Sequence, residues 1–170
     1  PGTTLPARRR DSERGLQAQW SVPRRLSPIV AVFLTVFLDM LSFGLVIPDI
    51  QLRGDELGAH GFVRGLLIAT FSLAQLLTAP FLGRLSDTLG RRKILLVSTI
   101  LATVSFLFYA HADVLWAMFV ARVLAGVAGA NLGVAYAYIA DVTTPEERAR
   151  GMGLIGAAFG LGFVLGPVIG

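Results

Sequence analysis

The 170 residues are 54% hydrophobic, carry a formal net charge of +4 and contain no cysteine. The mean hydropathy of +0.68 lies well above that of a soluble domain, and the lack of cysteine excludes disulfides, thiol catalysis and thiolate metal sites. Nucleic-acid binding is set aside because the basic residues cluster at the ends of apolar runs, where membrane topology places them. His60 and His111 stand apart in short loops, so no histidine metal site is expected.

Residues 1–27 are polar, carry six arginines and read as a largely disordered basic tail, compatible with a short interfacial helix near Trp20. Five apolar runs follow, at about 28–48, 63–82, 94–110, 114–140 and 151–170. Each approaches the roughly 20 residues needed to cross a bilayer; the third is short and the fourth long enough to tilt. All five are predicted to be helical, because a lone strand leaves its backbone groups unsatisfied in lipid. The predicted class is an all-α integral membrane bundle. The basic start runs into a stretch too long for a signal-peptide core, so no cleavable signal is predicted.

Counting bases predicts orientation. Arg8, Arg9, Arg10, Arg14, Arg24, Arg25, Arg84, Arg91, Arg92, Lys93, Arg148 and Arg150 share one side, against Arg53 and Arg64 on the other. That bias predicts a cytoplasmic N-terminus in a multi-pass protein of the inner or plasma membrane. Five crossings then leave the C-terminal end outside. With Pro1 first and Gly170 inside an apolar run, the chain is expected to be a piece of a longer protein.

Two charges fall within the apolar runs, Asp39 and Arg122. Each costs about 2.5–3.5 kcal/mol at a helix centre. Counting from the run ends puts both roughly 12–15 Å below the extracytoplasmic surface. At similar depth with opposite sign, they are expected either to pair or to face one watery cavity. A structural ion pair is the plainer reading; a place on an ion or substrate path is the favoured one. From Arg122, helical steps reach Gly126, Gly129, Gly133 and Tyr136, all within about 40° of it. Such a face either lines a cavity or packs closely on another helix. In the last run, Gly156 and Gly160, Gly162 and Gly166, and Gly166 and Gly170 are each four apart, and Pro167 weakens the local ladder. Spacing alone allows an oligomerisation face or a bendable working helix there.

Between the second and third runs stands GRLSDTLGRRK, residues 83–93. Gly83 permits a close approach, Gly90 a positive-φ turn, and Asp87 can accept hydrogen bonds from Arg91.

Together these segments resemble the Major Facilitator Superfamily. Gly83, Asp87, Gly90, Arg91 and Arg92 match its cytoplasmic signature, while Thr88 departs from a common basic residue. RVLAGVAGA at 122–130 resembles its helix-four motif through Arg122, Gly126 and Ala130, with Ala125 in place of a common glutamine. GFVLGPVIG at 162–170 resembles its helix-five antiporter motif through Gly162, Gly166, Pro167 and Gly170. LDMLSFGLVIP at 38–48 resembles helix one of drug–proton antiporters, and residues 137–153 are similar to tetracycline-efflux relatives.

The resemblance implies the first five helices of a twelve-helix transporter, truncated before helix six, with the C-terminal half of the same protein as a missing partner. It implies proton-coupled efflux of small amphipathic compounds by alternating access, with no cofactor beyond the coupling proton. In that reading Asp39 takes up the proton. Burial favours its neutral form and Arg122 its charged form. Asp87 and Arg91 latch the cytoplasmic side, and Gly162 to Gly170 pack against the missing half. Two rivals stand beside it: the same fold moving a sugar, organic anion or metabolite, and a membrane scaffold that transports nothing. No nucleophile–base pair or phosphate loop supports an enzyme.

Overall fold

The computed structural model describes residues 28–169; the basic tail and Gly170 lie outside the described residues. The helices in order are α1 (Pro28–Glu56), α2 (Phe62–Leu89), α3 (Arg91–Ala110), α4 (Leu115–Gly129), α5 (Leu132–Val142) and α6 (Pro145–Ile169). No strand occurs among the described residues. α4 and α5 form one crossing interrupted at Ala130 and Asn131, giving five segments long and apolar enough to span a membrane. A helix of 28 residues is about 42 Å long and exceeds a hydrocarbon core of about 30 Å, so its ends project.

Several ends differ from the apolar runs for one reason: hydropathy tracks the lipid, while the hydrogen-bond ladder runs on into polar sequence. α1 continues past Pro48 to Glu56. The proline forfeits its own amide bond, but beyond it Arg53 pairs with Asp49 across one turn at 3.9 Å. Arg53 Nη2 also donates to the Ala112 carbonyl at 2.9 Å, tying this projecting end to the end of α3.

Residues 83–93, expected as a loop, are helical on both sides of Gly90. Ser86 Oγ donates to the Gly83 carbonyl at 2.7 Å inside the last turns of α2. Gly90, at φ 96°, ends α2 and starts α3 within a single residue; a side chain there would be strained. α6 begins at Pro145 rather than at 151, with Glu146 and Glu147 in its first turn. Proline suits a first helical position, and acids there face the unpaired amides.

The core forms two layers. Toward the Gly90 end, Val36, Met40, Leu95, Val134, Ile139 and Ile155 pack together. Toward the Glu56 end, Val46, Ile50, Leu67, Tyr109, Met118 and Ala121 do so. The two charged positions of the apolar runs lie between these layers. α1 packs chiefly on α6, and α4 on α2 and α3.

The α1–α6 contact is backbone on backbone. A Cβ on Gly166 would lie 2.5 Å from the Gly44 Cα, and one on Gly162 would lie 2.8 Å from the Met40 Cβ. The expectation that this glycine stretch packs against a missing half is therefore corrected for Gly162 and Gly166, which face α1 of the same chain. Pro167 approaches the same Gly44. The oligomerisation reading loses these positions too, while Gly156 and Gly160 have nothing within 4 Å of a built Cβ. The outer surface is studded with exposed apolar side chains such as Leu76, Phe81 and Val168. Patches of that kind require lipid or another apolar surface.

Candidate functional site

Asp39 stands in the middle of α1 and is partly buried. Its partner is Asn131, whose Nδ2 donates to Asp39 Oδ2 at 2.8 Å. Asn131 occupies the break between α4 and α5 and is only 2% exposed. The break itself is supported from α2: Gln75 Nε2 donates to the Gly129 carbonyl at 2.7 Å. An interrupted ladder leaves carbonyls and amides that lipid cannot satisfy, so side chains from two helices meet at this point.

Arg122 is 2% exposed and is not paired with Asp39. Its guanidinium lies over two rings, 4.6 Å from the Phe71 centroid and 5.5 Å from that of Phe43. Nε reaches the Leu67 carbonyl at 3.5 Å, and Nη2 is buried without a hydrogen-bond partner. Cation–π contacts reach about 2 kcal/mol when desolvated. That offsets much of an insertion cost of about 2.5–3.5 kcal/mol but leaves a donor free.

The equal depth expected for the two charges does not hold. α1 runs seventeen residues beyond Asp39, whereas Arg122 lies early in α4. Direction separates them further. A side chain leans toward the N-terminus of its own helix, and α1 and α4 run antiparallel across the bundle. Asp39 thus leans toward the Gly90 end and Arg122 toward the Glu56 end. Of the two expected arrangements, the shared cavity is the one present. It is partly open to the outside of the bundle, with Asp39, Phe43, Phe71, Tyr109, Arg122 and Gly129 among its walls.

The remaining residues of the Arg122 face do different things. At Gly126 a Cβ would collide with the Phe71 carbonyl and lie 2.8 Å from the Ala74 Cβ, so this glycine brings α4 against α2. Gly129 both lines the cavity and touches the Phe71 ring. Gly133 has open space around it, and Tyr136 is exposed, away from the cavity walls. The helix break at Ala130 and Asn131 stands between these groups.

In the 83–93 segment, Arg91 pairs with Asp87 at 3.2 Å and, through Nε, with Asp141 at 2.5 Å. Arg91 therefore joins the α2–α3 corner to the end of α5. Both carboxylates are exposed and Arg91 is half-buried; surface pairs are worth about 0–1 kcal/mol each, so they are cheap to break. Arg92 is exposed, and Gly83 has nothing within 4 Å of a built Cβ, so no close approach occurs there.

Asn131, Gln75, Asp141 and Tyr109 were not singled out from sequence. The first two are amides inside apolar runs, a signal as legible as a charge, because each must find a partner in lipid.

A family model described as the Major Facilitator Superfamily matches residues 32–170. Tetracycline resistance protein, class C, of Escherichia coli is 43% identical over 148 residues, covering 84% of this chain and 37% of that protein. The class E protein of Escherichia coli is 38% identical, covering 84% and 36%. Multidrug resistance protein 2 of Bacillus subtilis is 32% identical, covering 88% and 38%. The chain thus spans under two-fifths of the length of these relatives. The family match runs through all five membrane-length helices, and the chain belongs to the Major Facilitator Superfamily.

Proposed function

We propose that this chain is part of a proton-coupled exporter of small amphipathic compounds working by alternating access. The observation that carries the reading is Asp39, a carboxylate held mid-helix by Asn131 on the wall of an internal cavity. A membrane-embedded ionisable group that lines a cavity is a functional site by default. Proton uptake converts the Asp39 carboxylate to the neutral acid and adds one donor. Asn131 suits both states: its amide nitrogen donates to the carboxylate, and its amide oxygen accepts from the acid once the amide turns over. Arg122 lines the same cavity without pairing with Asp39. The named resistances of the relatives support efflux as the direction and drug-like molecules as the cargo.

The base count supports a cytoplasmic Gly90 end, in an inner or plasma membrane. There Asp87 and Arg91 close the cytoplasmic side in the outward-facing state. The rest of the full-length protein completes the substrate path, and the coupling ion is the proton.

The test is Asp39→Asn in the full-length protein in liposomes, with tetracycline and proton fluxes recorded together. Efflux driven by a pH gradient should fall to the protein-free background while insertion is retained. Unchanged coupled flux would remove Asp39 from the coupling step.

A further inference from the structure

The cavity stops one helical turn short of Asp49. Val46 and Tyr109 are among its walls and Asp49 is not. The Asp49 side chain is 35% exposed, yet its Oδ2 is buried. Part of this carboxyl is thus open at the Glu56 end while one oxygen faces inward. Beside that oxygen stands Tyr109 of α3, which is 5% exposed and has its hydroxyl buried as well. Hydroxyl and Oδ2 are placed as donor and acceptor in a contact looser than an ordinary hydrogen bond, and neither has another hydrogen-bond partner.

A structural ion pair with Arg53 explains Asp49 poorly. The two are 3.9 Å apart, and the guanidinium is spent on the end of α3. Its Nη2 donates to the Ala112 carbonyl at 2.9 Å, Nη1 reaches the Tyr109 carbonyl at 3.5 Å, and Cζ lies 5.9 Å from the centre of the Tyr109 ring. Arg53 therefore positions Tyr109 more than it occupies Asp49, whose carboxylate is left able to take and release a proton. The charged groups acting on Tyr109 are Asp49 and Arg53 from α1 and Arg122 from α4. A phenol hydroxyl both accepts and donates. Set between an outward carboxylate and a cavity, it has the place of a link in a proton relay.

We propose that Asp49 and Tyr109 form the proton entrance of the cavity. A proton from outside water converts Asp49 to the neutral acid. The acid passes it to the Tyr109 oxygen as the hydroxyl releases its own proton to water in the cavity, and Asp49 returns to the carboxylate. The released proton reaches Asp39 on the wall of the same cavity. One proton has entered, and only Asp39 has changed its state. This rests on the exporter reading and adds its delivery path: Asp49 and Tyr109 set how fast Asp39 is protonated, not whether it is.

The test is the rate of tetracycline–proton exchange by the full-length protein in liposomes, with the pH on the Glu56 side stepped from acid to alkaline. Delivery limits the rate where protons are scarce, so Asp49→Asn and Tyr109→Phe should each slow exchange about tenfold on the alkaline side. The deficit should close on the acid side, where protons enter from bulk water unaided. Asp49→Glu should keep most of the wild-type rate. The two substitutions combined should slow exchange no more than one alone, since both cut a single path. Protons exchanged per tetracycline, and equilibrium tetracycline binding, should be unchanged in Asp49→Asn. Wild-type rates in both single variants, or a deficit of the same size at every pH, would overturn the proposal. Asp39→Asn measured alongside should stop exchange throughout the range. If it does not, the exporter reading itself fails; if it does while Asp49→Asn and Tyr109→Phe run at wild-type rates, only the entrance is removed.

Discussion

At the scale of single residues, what a position tolerates depends on what faces it. Gly162 and Gly166 let α6 touch the backbone of α1, whereas Gly160, on the same helix, faces open space. Gly166→Leu should therefore cost more than the roughly 1–3 kcal/mol of ordinary overpacking, since the obstructing atoms are backbone. Gly160→Leu should be neutral. Thermal unfolding and yield of the two full-length variants in detergent check this, and equal behaviour would remove the close contact as the reason for the glycines. The spacing of these glycines was legible in the sequence, and so was their need for room. Which helix would fill that room was not, because spacing describes one helix and the contact belongs to two. The same limit applies to Asp39 and Arg122. Their presence in apolar runs was plain, and their opposite signs suggested a pair. The direction in which each side chain leans depends on the antiparallel course of α1 and α4, and that course places Asn131 against Asp39 and two phenyl rings against Arg122.

At the scale of the element, the fourth crossing shows how a helix break is made tolerable in lipid. Apolar continuity from 114 to 140 predicted one helix, and hydropathy has no sensitivity to a lost backbone bond. At the interruption Gln75 donates to the Gly129 carbonyl, and Asn131, standing in the gap, gives its side-chain amide to Asp39. A neutral bond such as the one from Gln75 is worth about 1 kcal/mol in membranes, while an orphaned polar partner costs more than the bond returns. Gln75→Leu should therefore destabilise the full-length protein by about 1–3 kcal/mol, through a carbonyl left without a donor. Asn131→Leu should do at least as much, because it strands a carboxylate rather than a carbonyl. Combining Asn131→Leu with Asp39→Leu should recover stability relative to Asn131→Leu alone, since the carboxylate that Asn131 served is then gone as well. A double variant no more stable than Asn131→Leu would show that the break is held by something other than the Asp39–Asn131 bond. Chemical unfolding of the purified proteins in detergent makes the comparison.

At the scale of the whole molecule, the two apolar layers are joined through α1 and the interrupted crossing, and the Gly90 end is fastened by weaker means. Arg91 holds Asp87 on α2 and Asp141 on α5 at once, so three elements share one half-buried guanidinium. The motif at 83–93 disclosed the arginine and Asp87, but Asp141 lies fifty residues further on and becomes a partner only when the α4–α5 crossing returns to that end. A contact worth about 0–1 kcal/mol per pair cannot decide whether the bundle folds. It can bias two conformations that differ by a similar amount, since about 1.4 kcal/mol changes a population ratio tenfold. Arg91→Ala in the full-length protein should accordingly leave unfolding nearly unchanged and leave equilibrium binding of cargo within about twofold. It should cut transport several-fold by shifting the balance between inward- and outward-open forms. Arg91→Lys keeps the charge but loses the forked geometry that reaches two carboxylates, so its transport should fall between the two. Asp141→Asn should shift the conformational balance in the same direction as Arg91→Ala, because it breaks one arm of the same contact. Distances between spin labels on the two halves of the full-length protein report that balance directly. If cargo binding were lost while the distance distribution stayed that of the wild type, Arg91 would be part of the binding path and not a fastening at its end.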